Sequence, residues 1–564
     1  MWFKPIFICI GLIWYGLFGS ASPPPEKDYK SLFHTNIFEA FTALPEYPKN
    51  VTRSYTFELL KVYLAPDGFT RPVWSVNGQY PGPMIRANTG DKFNITVINR
   101  LGDPSAIHWH GIDQKGTNWF DGVPGTTQCP IPNGINFSYV FEPKQSGTYW
   151  YHSHLLAQLV DGLRGPLVIH DPDDPNKHEY DYEYVMTVAD WYHTPTGDPR
   201  MLPLLRSANY TGFDPIPDSA DISGVGQYNC TIPTCTPSKF ATYKVKKGKK
   251  YRFRIINMSA MSHFWVSIDK HPLTIIETDG TPVRPATVDA LRINIAQRYS
   301  VVVHANQPVD SYYIKARISE CSLPVNNNTF NFDSPLFKND QVTGILRYEG
   351  APDKLPTYNG PSINASDCYD MDASLLKPYP LNPPVPRDEN LTTLEFEINV
   401  ILRNTYVQAV INNSTFFPDF TYPTNKRIID GDNFSASDNV YYYHGLNSPI
   451  QIVLNNTENR THPFHLHGHS FWIIAQGEIG SNLQPISSLK FNFDDPPFRD
   501  IITLKELSLS VIRYYADNPG VWMLHCHIEW HIELGMVVQL IELPEIFSKY
   551  VIPNDVHRLC TSIS

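Results

Sequence analysis

The fold that the sequence predicts is all-β, a run of consecutive β-sandwiches. Three observations predict it. Short segments alternate apolar and polar residues with the period of a strand. Gly, Asn, Asp and 49 prolines stand between those segments as turn formers. The 564 residues suffice for three or four domains, each burying its own core.

Taken in order, the chain opens on a segment to be removed. Lys4 precedes the apolar run Ile6 to Phe18, and small residues Gly19, Ser20, Ala21 and Ser22 follow. That order, charge then apolar stretch then small residues, is a secretory signal over residues 1–21, too short to span a bilayer. The first sandwich is expected over 50–175, with strands at Tyr55–Leu59, Phe93–Val97 and Phe137–Phe141. The second, 180–370, has Lys250–Ile256 and Tyr299–Val303, and the third, 385–545, has Leu394–Val400 and Ile450–Leu454. Boundaries fall at Asp171-Pro172-Asp173-Asp174-Pro175 and in the proline-rich stretch 378–386. Residues 546–564 form a tail broken by charge and proline. No later segment is apolar for long enough to cross a membrane, so the expected location is outside the cell.

Charge and cysteines agree with that location. A formal charge of -11 excludes a nucleic-acid partner, which would need a basic face. Of eight cysteines, Cys9 leaves with the signal and Cys526 stands between two histidines. The other six suit disulfides in an oxidising compartment. Glycosylation sequons recur at Asn94, Asn136, Asn209, Asn257, Asn390 and Asn433.

A hidden repeat locates the chemistry. Gly147-Thr148-Tyr149-Trp150-Tyr151-His152-Ser153-His154 closes the first sandwich and Gly520-Val521-Trp522-Met523-Leu524-His525-Cys526-His527 the third. The middle sandwich has no such element, so the site is expected between the first and third domains. Four His-X-His pairs stand out: His108/His110, His152/His154, His465/His467 and His525/His527. On a strand, residues two apart share a face, so each pair presents two imidazoles together, a transition-metal pattern. Cys526 faces the other way from its neighbours and addresses a second site. With His462, His531 and Met536 it completes the thiolate, two-imidazole and thioether set of a blue-copper centre.

His108-Trp109-His110-Gly111, Tyr151-His152-Ser153-His154, His462-Pro463-Phe464-His465-Leu466-His467-Gly468 and His525-Cys526-His527-Ile528-Glu529-Trp530-His531 resemble the four copper motifs of the multicopper oxidases. Those include laccases, ascorbate oxidases and iron-uptake ferroxidases. The resemblance runs from about Tyr55 to Leu543. It implies three cupredoxin-like (plastocyanin-like) Greek-key sandwiches, four copper ions, and dioxygen as the electron acceptor. It places the blue copper on His462, Cys526 and His531 with Met536 axial. It puts one trinuclear copper on His108 and His465. The coupled pair falls to His110, His152 and His527 on one ion and His154, His467 and His525 on the other. Asp121 and Glu529 match the family's proton-handling acids, and either would also serve by orienting a ligand imidazole. His469 and His193 match no ligand position and read as structural.

The reductant is read less directly. Met536 resembles the axial residue of ascorbate oxidases and lower-potential laccases, which favours phenols. Gly226-Gln227-Tyr228-Asn229-Cys230 resembles a second-domain motif of laccases and ascorbate oxidases. Carboxylates at Glu458 and Asp279 are candidates to bind a metal-ion reductant, ferrous iron. The expectation is a laccase-type oxidase of phenols and aromatic amines, with a secreted ferroxidase as the alternative. A copper store is disfavoured, because it has no use for a cysteine wired between two sites. The expected disulfides are Cys129–Cys560, clamping the first and third domains, with Cys230–Cys235 and Cys321–Cys368.

Overall fold

The computed structural model describes residues 37–42, 51–210, 214–229, 235–236, 239–319, 340–380, 383–387 and 390–562. Six sheets pair into three sandwiches. In the first, Arg71–Val76, Thr52–Leu64, Lys92–Asn99 and Asn136–Phe141 form one sheet. Ile85–Asn88, Arg164–His170, Gly147–Ser153 and Ile107–His110 form the facing one. The second sandwich has sheets of seven and five strands, the third of six and five. One long-range parallel pair recurs in each. Thr52–Leu64 pairs with Lys92–Asn99, Tyr182–Trp191 with Lys250–Asn257, and Thr392–Arg403 with Ser448–Asn456. A parallel neighbour cannot be reached by a tight hairpin, so the same crossover has been used three times.

The expected strand segments all lie within these strands. Lys92–Asn99 shows why: Phe93, Ile95 and Val97 are fully buried while the residues between them are not. Gly147–Ser153 and Gly520–Cys526 break that alternation and are buried along their whole length. One face of each meets its own sandwich and the other meets a neighbouring domain, so both faces exclude water.

The domains are joined by charge as well as by apolar contact. One apolar cluster takes Trp150 from the first sandwich, Val185 from the second and Phe464 from the third. Nearby, Arg254 pairs with Glu183 at 2.5 Å and donates to Thr148 Oγ1 at 2.9 Å, and the Thr148 amide donates to Glu277 at 3.1 Å. Arg252 completes this buried set by bonding Glu277.

Cys129 and Cys560 form a disulfide across 431 residues. The sequence reading needs correcting in one respect. Cys560 lies on the helix Asn554–Thr561, and Ile552, Val556 and Leu559 pack into the first sandwich's core beside Trp119. What is fastened to the first domain is therefore the tail. Cys235 and Cys368 are disulfide-bonded, while their expected partners Cys230 and Cys321, like the signal segment, lie outside the described residues. The sequon at Asn257 is also corrected: its side chain is buried and donates to the carbonyls of Ser262 and Ile293, leaving no room for a glycan.

Candidate metal centre

Strand register builds the first cluster. His462–Leu466 pairs with Gly520–Cys526 so that Phe464 lies opposite Cys526 and His465 opposite His525. Cross-strand partners share a face, and so do residues two apart, so His462 and Cys526 point the same way. The short helix Glu529–Glu533 then brings back His531. His462 Nδ1, His531 Nδ1 and Cys526 Sγ stand 3.2, 3.5 and 3.7 Å apart. The centre of that triangle is about 2 Å from each donor, the length of a metal–imidazole bond. Met536 is fully buried nearby, its carbonyl accepting from the Cys526 amide.

The other faces of the same strands build the second cluster. His108 lies opposite His152 in the first sandwich as His465 lies opposite His525 in the third. The two histidine pairs meet across the domain boundary: His108 and His467 rings are 4.1 Å apart, His110 and His465 3.9 Å. His154, His467 and His525 converge, with 3.0 Å between His467 Nε2 and His525 Nε2. His108, His110 and His152 form a second converging group. Asp121 ties the domains together, accepting from His467 Nδ1 at 2.8 Å on its carboxylate and from His108 Nδ1 at 2.8 Å on its carbonyl. Gly122 makes this approach possible. At φ +83° it lies where an added Cβ would be 1.8 Å from the Ile107 carbonyl.

The donors fit metal ions rather than a packed core. Buried nitrogens without a protein hydrogen-bond partner include Nε2 of His108, His152 and His465 and both nitrogens of His110 and His527. Buried polar atoms rarely stay unpaired unless something else satisfies them. Burial and neighbouring imidazoles hold His110, His152, His154, His465, His467 and His527 well below the usual histidine range. Burial lowers His525 to about 4. Neutral imidazole is the form that ligates.

Known proteins share this arrangement. Multicopper oxidase family models match residues 59–174, 182–351 and 395–545. The laccase of Pycnoporus cinnabarinus is 36% identical over 524 residues, covering 89% of this chain and 92% of that protein. Laccase-4 of Thanatephorus cucumeris is 38% identical over 514 residues, with 88% and 91% covered. The chain belongs to the multicopper oxidase family. Among solved structures, the laccase of Botrytis aclada superposes with a TM-score of 0.82 at 34% identity, covering 94% of each chain. Fet3p, a multicopper oxidase that functions in iron import, gives 0.79 at 29% identity, covering 91% of this chain and 95% of its own. Members carry four coppers, one mononuclear and three in a trinuclear cluster.

Within this multicopper oxidase two acids emerge that sequence reasoning missed. Asp214, from the middle sandwich, lies 3.2 Å from His531 Nε2 and accepts from Tyr210. Burial raises its pKa, but His531 and Arg460 outweigh that and hold it below the usual range, as a carboxylate. A cleft of about 140 Å³ beside it reaches His462 and His531. Asp500 is the second, with its carbonyl accepting from His465 Nδ1 at 2.9 Å. Neither acid sits in a recognisable motif.

The acids expected from the sequence divide. Glu529 lines a separate cavity with His154, His525 and His527, and burial pushes its carboxyl well above the usual range. Glu458 lines the His462–His531 cleft, accepting from the Val400 amide at 2.9 Å. Asp279 does not line that cleft. It is buried, at φ 44°, and its two oxygens accept from the Arg298 amide and Arg499 Nε, each at 2.7 Å. As a carboxylate for a metal-ion reductant it is corrected: its oxygens are already committed to arginine. His469 bonds Glu542 at 3.0 Å and His193 bonds Asp67 at 2.7 Å, both as structural groups.

Proposed function

We propose that this is a secreted oxidase of laccase type, taking single electrons from phenols and aromatic amines and reducing dioxygen to water. The observation that carries this reading is the cleft at His531 with the Asp214 carboxylate at its wall. A phenol loses a proton as it loses an electron, and a carboxylate beside the electron-accepting imidazole is placed to receive that proton. No helix among the described residues is long and apolar enough to cross a membrane.

Bound copper would supply one-electron transfer at the first cluster and four-electron reduction of dioxygen at the second. His462, Cys526 and His531 would hold the mononuclear ion, and Met536 would complete its ligand set. His108 and His465 would hold one ion of the cluster. His110, His152 and His527 would hold the second, and His154, His467 and His525 the third. The remaining work belongs to the chain. Asp214 takes the phenolic proton while Tyr210 holds its second oxygen. Peptide bonds from Cys526 to His525 and His527 give electrons a covalent route between the clusters. Asp121 fixes the rings of His108 and His467. Glu529, an acid in a cavity that reaches the cluster histidines, is suited to hand protons inward.

Ferrous iron is a second reading, favoured by the presence of both Asp214 and Glu458 in the cleft. Steady-state kcat/KM of the purified copper enzyme for a diphenol, ascorbate and ferrous iron tests it. The diphenol should be the best substrate, and a ferrous-iron value well above it would overturn the laccase assignment.

A further inference from the structure

The middle sandwich has no His-X-His pair, yet one of its side chains reaches the eight-histidine cluster. Arg298 opens the strand Arg298–His304 and is fully buried. Its guanidinium grips both oxygens of Asp500 in the third sandwich, Nη1 to Oδ1 at 2.7 Å and Nη2 to Oδ2 at 2.5 Å. Two further bonds hold it, and Asp279 Oδ1 stands 3.6 Å from Nη1. Nε donates to the Thr148 carbonyl of the first sandwich at 3.0 Å, and Nη1 donates again to Ala296 at 3.2 Å. The first sandwich makes room for this pair at Gly111, φ +85°, where a Cβ would lie 2.6 Å from Arg298 Nη2 and 2.8 Å from Asp500 Oδ2. All three domains therefore meet at one ion pair.

That pair touches the metal centre. Asp500 Oδ1 stands 3.6 Å from His110 Nε2, and donor atoms of His110, His465 and Asp500 lie within 4.8 Å of one another. A free carboxylate at that spacing would compete with imidazole for a bound copper ion, since oxygen ligands also bind Cu(II). Here the fork of Arg298 occupies both oxygens in a geometry that lysine cannot reproduce. We infer that Arg298 is a positioning residue of the trinuclear centre. It withholds the Asp500 carboxylate from copper, while the Asp500 carbonyl orients His465. The middle domain thus decides the ligand set of a site whose ligands all come from the other two. This rests on His110 and His465 being ligands.

The test uses copper-loaded Arg298→Lys and Arg298→Lys/Asp500→Asn, measured by copper content, blue absorption, oxygen uptake, the near-ultraviolet absorption of the coupled pair that His110 would help hold, and the EPR spectrum of the ion that His108 and His465 would hold (the type 2 signal). Arg298→Lys should keep its blue colour, because the mononuclear site is untouched. Its type 2 signal should shift toward mixed nitrogen and oxygen ligation, and turnover should fall by about 10- to 100-fold, as for other groups that orient metal ligands. In the double variant the signal should return to the wild-type form, because the competing carboxylate is gone. An ion pair that only joins domains would lower thermal stability and leave the spectrum of the blue protein unchanged. That result would overturn the inference, as would a shifted signal that persists in the double variant. If Arg298→Lys yields no blue protein, Asp500→Asn alone decides. A wild-type type 2 signal supports the inference, and a shifted one means the carboxylate already ligates and overturns it. His110→Ala checks the ligand assignment separately: wild-type copper content and spectra there would overturn that assignment, and the inference with it.

Discussion

Replacing Asp214 with asparagine isolates proton acceptance from electron transfer, and its effect can be worked out from three contacts. Asp214 Oδ1 accepts from Tyr210 at 3.2 Å, Oδ2 faces His531 Nε2 at 3.2 Å, and Arg460 stands 3.7 Å away. Asparagine keeps the shape and the Tyr210 bond. Its amide NH2, however, meets His531 Nε2–H donor to donor, which costs about 1–3 kcal/mol locally. Its larger loss is basicity. A positioned general base contributes about 10²- to 10⁴-fold, or about 3–5 kcal/mol of barrier. The kcat/KM for a diphenol should therefore fall by about two to three orders of magnitude. Ferrocyanide gives up an electron and no proton, and as an anion it is repelled by the native carboxylate. Its kcat/KM should hold or rise in Asp214→Asn, with the blue absorption retained. Both reductants would be assayed side by side by oxygen uptake on copper-replete protein. Equal losses on the two would refute a role in proton transfer, and unchanged phenol kinetics would refute any role for this acid.

Cys526→Ser should abolish the blue absorption and all turnover while the trinuclear coppers stay bound, read by copper content and visible spectra. A colourless variant that still oxidised diphenols at the wild-type rate would contradict the thiolate assignment. Cys560→Ser should destabilise the protein by up to about 6 kcal/mol on the chain-entropy estimate for so long a loop, and should expose the tail to protease. An unchanged denaturation midpoint would count against that clamp. Glu183→Gln leaves Arg254 buried without its close partner and should cost about 3–5 kcal/mol, lowering Tm by roughly 6–20 °C for a unit of this domain size. The Glu183 carboxyl is raised by burial but lowered further by Arg254 and His170, so its net shift is downward. Its stabilisation is therefore full above about pH 4.5 and is lost as pH falls through the lowered value. Wild type should lose stability more steeply than Glu183→Gln in thermal scans through the acid range, and parallel curves would contradict the pairing.

The parts legible from sequence were those with local spacing. Phe93, Ile95 and Val97 announce a strand because a half-buried sheet requires period two, and His108/His110 announce a metal because ligands must share a face. Cys526 was assigned to a second site by the same parity. Asp214 and Asp500 were not legible, since each meets its partner only through the fold: His531 lies 317 residues from Asp214, and Arg298 lies 202 from Asp500. Asp279, beside Gly280, looked like an exposed loop acid. Its positive φ and two arginine partners are properties of packing between domains. The docking of the tail was not legible either, because charge and proline interrupt its apolar pattern. Val556 and Leu559 nevertheless fall on one face of the helix, with Ile552 just ahead of it, a spacing that carried the missed signal.

The return of residues 552–560 to the first sandwich has a consequence for biogenesis. The first sandwich cannot complete its core until residues 552–560 have been delivered. Until then the apolar surface around Trp119 that Ile552, Val556 and Leu559 cover stays open to water, the kind of surface that invites aggregation and chaperone binding. A chain interrupted anywhere before Cys560 therefore leaves that sandwich unfinished.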